Sequence, residues 1–395
     1  MRAASPAPLA LFYFTTFAVL GVYLPYFNLY AESLGFDGLQ IGILAAAIPL
    51  GKVLFGPLWA LLADRIRRRK EIALIGVAAA AGVFSLLLAV DAFVPMCLVL
   101  YAYSAFLSPQ LPVVEATTLE LADRHRWQYG RIRVWGSLGF IVASFGLGWV
   151  FDQVSIRRVL EVTLAALVVN FLATLWIPAT RPAETWRRQD LLPAVLDPRV
   201  LAFLCCGLLM QASHGGYFVF FSIVLEDAGF QRGAIGALWA LGVVAEMVTM
   251  VASAWLLRRY GVPAVMTACL GIAALRWGLY ARTTWLPALL VGQVLHAFTF
   301  GAFHVAAVTG TFRLFPGRLR SSGQSLFSGF TYGAGNALGF FAAGALFDWG
   351  GPSWLFGASA VVALAACGLS LSLWPEARLR AGVEAPALAA GGGIE

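Results

Sequence analysis

Charge is what this sequence has least of. Asp, Glu, Lys and Arg make up 12% of its 395 residues, against 60% for the hydrophobic types, and mean hydropathy is +0.81. No water-soluble domain of this size carries so little polar surface, which excludes the soluble classes, soluble enzymes among them. Cysteine is sparse too. Cys97, Cys205, Cys206, Cys269 and Cys367 all fall in apolar segments without a Cys-x-x-Cys spacing, so neither disulfides nor a metal site is expected. No nucleophile–base pair or phosphate-cradling loop stands out, so neither an enzyme activity nor a cofactor is expected. The net charge of +7 sits in short loops between apolar runs, which speaks against a nucleic-acid partner and for a lipid bilayer.

What the chain does have is apolar length. Runs of about 20 residues, each enough to cross a bilayer, predict twelve spans. They lie near 9–30, 39–62, 71–90, 94–119, 133–152, 158–177, 200–224, 233–257, 262–281, 285–311, 322–347 and 353–374. The polar stretch 181–198 divides six spans from six. The expected domains are therefore an N-terminal bundle (1–180), a cytoplasmic linker (181–198), a C-terminal bundle (199–376) and a disordered cytoplasmic tail (377–395). Of the 27 Lys and Arg residues, 21 fall at the termini or in loops after even-numbered spans. Arg157, Arg158, Arg232 and Arg282 fall on the other side, and Lys52 and Arg276 inside spans. The bias predicts that both termini are cytoplasmic.

The halves repeat one another. Gly35-Phe36 and Ile41-Gly42 match Gly229-Phe230 and Ile235-Gly236 at one offset. Gly130-Arg131-Ile132-Arg133 then matches Gly317-Arg318-Leu319-Arg320, and Phe151-Asp152 matches Phe347-Asp348. Three matches in the same order predict a duplicated six-helix unit, with a site between the copies as in transporters. The expected fold class is an all-α membrane protein of twelve transmembrane helices, built as two six-helix bundles related by pseudo-two-fold symmetry.

Polar groups inside apolar spans mark the candidate site. Ionisable side chains at bilayer depth cost a few kcal/mol each, so they are expected to work. His296 and His304 lie eight residues apart in span ten, about 80° apart on an α-helix. His214 lies in span seven. Lys52 is too far from a helix end to snorkel and calls for an anionic partner. Glu115 in span four and Arg133 at the start of span five are joined by one hairpin and can face each other. With neutral His, Glu115 and Glu246 set against Lys52, Arg133 and Arg276 leave one excess cation, which invites an anionic substrate. Glu246 is the first candidate proton carrier, with His296 or His304 as alternatives. Gly136 and Gly139 in span five, and Gly329, Gly333, Gly335 and Gly339 in span eleven, are expected to let helices approach or bend.

Several phrases resemble known families. Ala60-Leu-Leu-Ala-Asp64-Arg65-Ile-Arg67-Arg68-Arg69 resembles the loop signature Gly-x-x-x-Asp-Arg-x-Gly-Arg-[Arg/Lys] of the major facilitator superfamily, with Ala60 and Arg67 replacing its glycines. The resemblance implies alternating access and a conformational lock at Asp64, Arg65 and Arg68. The equivalent loop 253–261 has Arg258 and Arg259 but no Asp, so only the first copy carries that lock. Pro112-x-Val114-Glu115-Ala116 followed by Tyr129-Gly130-Arg131-x-Arg133 is similar to the lactose permease branch. That likeness implies substrate contacts at Glu115 and Arg133, an aromatic stacking residue at Phe140, and coupling residues at Glu246, Arg276 and His296. Thr299 stands where that branch has its proton-accepting Glu, and Thr249 where it has a sugar-binding Asn, which weighs against a sugar.

The 3-phenylpropionate permease branch is matched more fully. The matching phrases include Tyr13-Phe14-Thr15, Arg133-x-Trp135-Gly136-Ser137, His214, Leu238-Trp239, Arg276-Trp277-Gly278 and Leu295-His296 with Phe300 and His304. The resemblance covers about residues 10–375 and implies proton-coupled uptake of a small organic, plausibly aromatic, carboxylate across a bacterial inner membrane. The implied roles are substrate binding at Lys52, Glu115, Arg133, Phe140 and His214, and proton coupling at Glu246, Arg276, His296 and His304. The expected partners are that substrate, protons and lipid, with the chain acting as a monomer. A sugar or nucleoside symporter and a drug exporter remain alternatives.

Overall fold

A computed structural model describes residues 5–66, 68–180, 192–315 and 319–373. The chain is helical almost throughout. In the first half α1 spans Ala7–Ser33, α2 Gly38–Ile66, α3 Arg69–Ala89, α4 Phe93–His125, α5 Tyr129–Gln153 and α6 Val159–Thr174. In the second half α7 spans Pro198–Asp227 and α10 Leu286–Leu314. Helices α8 (232–260) and α9 (262–280) are continuous except at Gly261, and α11 (320–350) and α12 (352–370) except at Gly351. Nine stretches among the described residues are long and apolar enough to cross a membrane. Dividing two of them at these glycines and adding the shorter α6 gives the twelve expected spans.

Boundaries moved where capping chemistry is invisible to hydropathy. Span four runs to His125, six residues past its expected end, because the last turns carry charge yet remain helical. Span five starts at Tyr129, so Arg133 lies a full turn inside α5. No loop separates spans eight and nine; one residue with φ 79° reverses the chain. Residues 181–191 of the expected linker and the whole expected tail lie outside the described residues, as do Arg67 and the side chain of Asp64. The rest of the linker forms a short helix, Leu192–Val195, and the Asp197 cap of α7, whose Oδ1 accepts from Arg199 N at 2.9 Å.

The repeated turn glycines have a physical reason. Gly35 and Gly229 take φ of 82° and 86°, a region that penalises any side chain, and each turns the chain into the next helix. Asp37 and Gln40 then form a reciprocal cap on α2: Asp37 Oδ1 accepts from Gln40 N at 2.8 Å, and Gln40 Oε1 from Asp37 N at 3.1 Å.

Large apolar side chains point outward, among them Val251, Trp176 and Trp149, as expected where lipid is the solvent. One continuous cluster of buried apolar side chains runs through both halves, and a smaller one lies in the N-terminal half alone. Thr15 and Thr16 of α1 are both 3.1 Å from Asn170 Oδ1 of α6. Between the bundles, every hydrogen bond that joins described residues lies at the end remote from the chain termini. Asp152 of α5 accepts from Arg232 N at 2.7 Å and Gly233 N at 3.0 Å, at the start of α8. Asp348 of α11 accepts from Gly38 N at 2.6 Å and Leu39 N at 2.7 Å, at the start of α2. Asn28 Nδ2 donates to Val219 O at 2.9 Å. That end is sealed, and no hydrogen bond between described residues joins the bundles on the terminus side.

Candidate functional site

Arg133 enters the space between the bundles from α5. Its guanidinium carbon stands 4.1 Å from the ring centre of Phe17 and 5.5 Å from that of Tyr13. Gly136 makes room for it: a Cβ there would lie 2.8 Å from Arg133 Nη1 and 2.9 Å from the Phe17 ring. Across the interface, Glu246 of α8 and His304 of α10 lie within electrostatic reach of Arg133. Glu246 is half-buried, with its stem packed against Gly301, and no hydrogen bond to a described residue holds its carboxylate. His304 Nδ1 is 2.6 Å from Tyr332 Oη of α11.

Lys52 faces the same space. At 100° per residue it shares a side of α2 with the buried Ile41 and Ala45, whereas the exposed Leu54 and Leu58 lie on the opposite side. Lys52 itself is exposed. Val53, next to it, fills the place a Gly333 side chain would take. Gly139 likewise lets α5 cross the backbone of Phe14, while Gly329 meets nothing.

Glu115 and Arg133 are brought to one neighbourhood but not into an ion pair. Both lie within electrostatic reach of Tyr13, and Glu115 accepts a hydrogen bond from the Tyr129 hydroxyl. Tyr129 and Tyr13 stood in the matched phrases without a role, although Tyr129 lies four residues before Arg133, on the same face of α5. Phe17 and Tyr332 were not singled out, because an aromatic in a span is ordinarily lipid-facing or core.

Arg276 and His296 form a separate, buried cluster inside the C-terminal bundle. Arg276 is fully buried, its guanidinium carbon 4.2 Å from the ring centre of Tyr217 and 4.5 Å from that of Trp277. Its Nη1 lies 3.0 Å from His296 Nδ1. Arginine can only donate, so His296 Nδ1 accepts and carries no proton. Thr299 is the hub. Its Oγ1 is 3.3 Å from Arg276 Nη1 and 3.3 Å from His214 Nε2, while His214 Nδ1 donates to Met210 O at 2.8 Å. His214 thus lies within the bundle, saturated by neighbours.

A π-helical segment, Ala297–Ala302, lies between His296 and His304. Its wider turn shifts the phase expected of an α-helix, so one imidazole turns to α9 and the other to α11. A second π segment, Gly329–Gly335, carries Tyr332. Among the described residues the ion pairs are Arg69–Glu120, Arg124–Glu120, Arg158–Glu161 and Arg232–Glu226. None includes Lys52, Glu115, Arg133, Glu246 or Arg276.

Aromatic rings wall the middle of the molecule. Phe218 of α7 lies 6.4 Å from Trp239, 6.4 Å from Phe300 and 6.1 Å from Phe340, centre to centre. Phe140 reaches from α5 to within 6.4 Å of Trp239 on α8, and Phe300 to within 6.3 Å of Tyr332. Of the expected lock, Arg65 and Arg68 are exposed at the terminus-side end of α2, and the Asp64 side chain lies outside the described residues.

A helical duplicate with charged groups between its halves has a family to which it can be compared. The profile of the MFS_1 like family matches residues 7–358. The chain belongs to that family. It is a major facilitator transporter, not an enzyme, and a multi-pass protein of the bacterial inner membrane. It is 31% identical over 312 residues to the probable 3-phenylpropionic acid transporter of Escherichia coli (strain K12), covering 76% of this chain and 80% of that protein. It is 27% identical over 348 residues to the maltose permease of Geobacillus stearothermophilus, covering 85% of each. The crystal structure of the nucleoside transporter NupG superposes with a TM-score of 0.82 at 20% identity, covering 94% of this chain and 99% of that one. Such low identity speaks for the fold alone.

Proposed function

We propose that the chain carries a small organic carboxylate, with an aromatic or similarly apolar body, together with a proton. The observation that supports this most directly is the unpaired Arg133, set between Phe17 and Tyr13 and within reach of Glu246. A guanidinium without a carboxylate partner is a place for a substrate carboxylate, held by two parallel hydrogen bonds. Lys52 adds positive charge on the same side. The rings of Phe140, Phe218, Trp239, Phe300 and Phe340 supply stacking surface for the body of the substrate. A relative named for 3-phenylpropionic acid accords with this chemistry.

The proton step follows from charge balance. Glu246 is accessible from the cavity and free of a fixed partner. When ionised it is attracted to Arg133 and competes with the substrate anion; when protonated it releases Arg133 to the substrate. Symport of one proton with one monoanion moves no net charge, so the pH gradient alone drives it. Opening at the far end requires Asp152 and Asp348 to leave the helix starts they cap, while the terminus side closes. We read the terminus side as cytoplasmic from its Lys and Arg content.

The test is proton movement in liposomes that enclose a pH-sensitive dye and contain the purified protein. Adding 3-phenylpropionate should acidify the interior faster than in protein-free liposomes, whereas maltose and uridine should not. A response to maltose or uridine alone would replace the carboxylate reading with a neutral-solute one. That second reading draws on Glu115, whose carboxylate can accept from substrate hydroxyls, and on the likeness to the maltose permease.

A further inference from the structure

Away from the transport site, the start of α1, the turn between α4 and α5 and the first turns of α5 enclose a cleft of about 840 Å³. Its walls are Leu11, Phe14, Trp127 and Trp135; Arg126 and Arg131 stand at its rim, and among the described residues no acidic side chain lines it. Leu11 and Trp135 are 43% and 46% exposed, as suits side chains that face lipid. The cleft lies on the outer side of α5. Arg131 and Arg133 are two residues apart, about 200° around the helix, so one meets the cleft while the other meets the transport site.

We infer that this cleft binds a phospholipid with an anionic headgroup, its phosphate between Arg126 and Arg131 and its first acyl carbons against Trp127, Phe14 and Trp135. On α4, Glu120 is already held by Arg69 at 2.8 Å and Arg124 at 3.0 Å, and Asp123, three residues before Arg126, pairs with neither rim arginine among the described residues. Arg126 and Arg131 enter no ion pair among the described residues. Two unpaired guanidiniums at a membrane boundary match a negative headgroup, and a bare soluble anion has no use for the apolar walls below them. Along α1 the cleft runs from Ala7 to Phe14, about 10 Å of helix, which suits the upper part of an acyl chain. Arg126 also adopts φ 54°, a left-handed helix-end position that glycine ordinarily fills, while Trp127 N closes the helix onto Ala122 O at 2.8 Å. This turn places a cation and a Trp side by side at the rim.

Native mass spectrometry of the detergent-solubilised full chain, titrated with dioleoyl phosphatidylglycerol or dioleoyl phosphatidylcholine, tests the inference. The wild type should retain one phosphatidylglycerol in preference to phosphatidylcholine. The double variant Arg126→Gln/Arg131→Gln should weaken that binding by about 30-fold, with phosphatidylcholine unaffected. Arg157→Gln/Arg282→Gln, at the other end of the bundle, serves as the control and should bind as the wild type does. Trp135→Ala should weaken retention without changing charge. Equal retention of the two lipids by the wild type, unchanged binding in the Arg126/Arg131 variant, or displacement of the bound lipid by millimolar inorganic phosphate would each overturn the assignment.

Discussion

Asp152 and Asp348 occupy equivalent places in the two halves, and each caps the first turn of a helix in the opposite half. Their four bonds to the backbone N–H groups of Arg232, Gly233, Gly38 and Leu39 hold the far end shut. The Phe-Asp repeat in the sequence is therefore a pair of latches across the pseudo-symmetry axis. Backbone N–H groups at a helix start carry partial positive charge, so a carboxylate is the natural partner.

Removing one latch should loosen the closed far end by about 1 kcal/mol, the worth of a helix cap, or about fivefold in the open population. Asp152→Ala and Asp348→Ala should act alike, and together give about 30-fold. The readout is labelling of Ser144→Cys, buried where α5 meets Gly236 of α8, in a background without the five native cysteines, by a membrane-impermeant maleimide. Unchanged labelling in the double variant would mean that the latches do not hold the closed state.

Gly136 is predicted to be a substrate-affinity position although it has no side chain to offer. Gly136→Ala puts a Cβ where Arg133 Nη1 and Phe17 lie, so the guanidinium must leave its seat over the ring. We expect KM for uptake to rise at least about tenfold, with the amount of protein in the membrane unchanged. Gly146→Ala on the same helix, where a Cβ meets nothing within 4 Å, should behave as the wild type.

Glu246→Gln separates coupling from transport. The amide keeps the size of the carboxyl but cannot exchange a proton. Accumulation against a gradient should fall to the level of vesicles lacking the transporter, while counterflow of labelled for unlabelled substrate persists. Full proton-driven accumulation by this variant would transfer the carrier role to His304.

Tyr129→Phe deletes the hydroxyl that donates to Glu115 and leaves the rest of the packing intact. A partly buried carboxylate that loses a hydrogen bond costs about 1–3 kcal/mol, so uptake at low substrate should fall by roughly ten- to a hundredfold. Initial rates over a range of substrate concentrations check this. An unchanged KM and maximal rate would make Glu115 a bystander.

How much of this was legible depended on the range of the interaction. The spans were readable because apolar length is a property of a short stretch of chain. Their ends were less so: the charged last turns of α4 and the Gly261 reversal depend on where helix ends find partners. The repeat of Gly35 with Gly229 was visible because the same turn demands the same positive φ. His214, His296 and His304 stood out as polarity out of place, but their grouping was not visible. Thr299 looked like a lost acid; in the structure it links His214 to Arg276.

The sequence by itself determined the membrane, the number of spans, the duplication and the inventory of buried charge. Those follow from burying apolar length in lipid and from the cost of placing ions there. Only the tertiary structure decided which charges meet. Arg133 and Glu246 sit in different halves and come within electrostatic reach because the two bundles pack on each other. Arg276 and His296 come together, apart from Glu246, because α9 packs against α10 inside one bundle. The physical reason is that electrostatic and hydrogen-bond partners are chosen by distance in space, and helix packing with its π-segment phase shifts sets that distance independently of spacing along the chain.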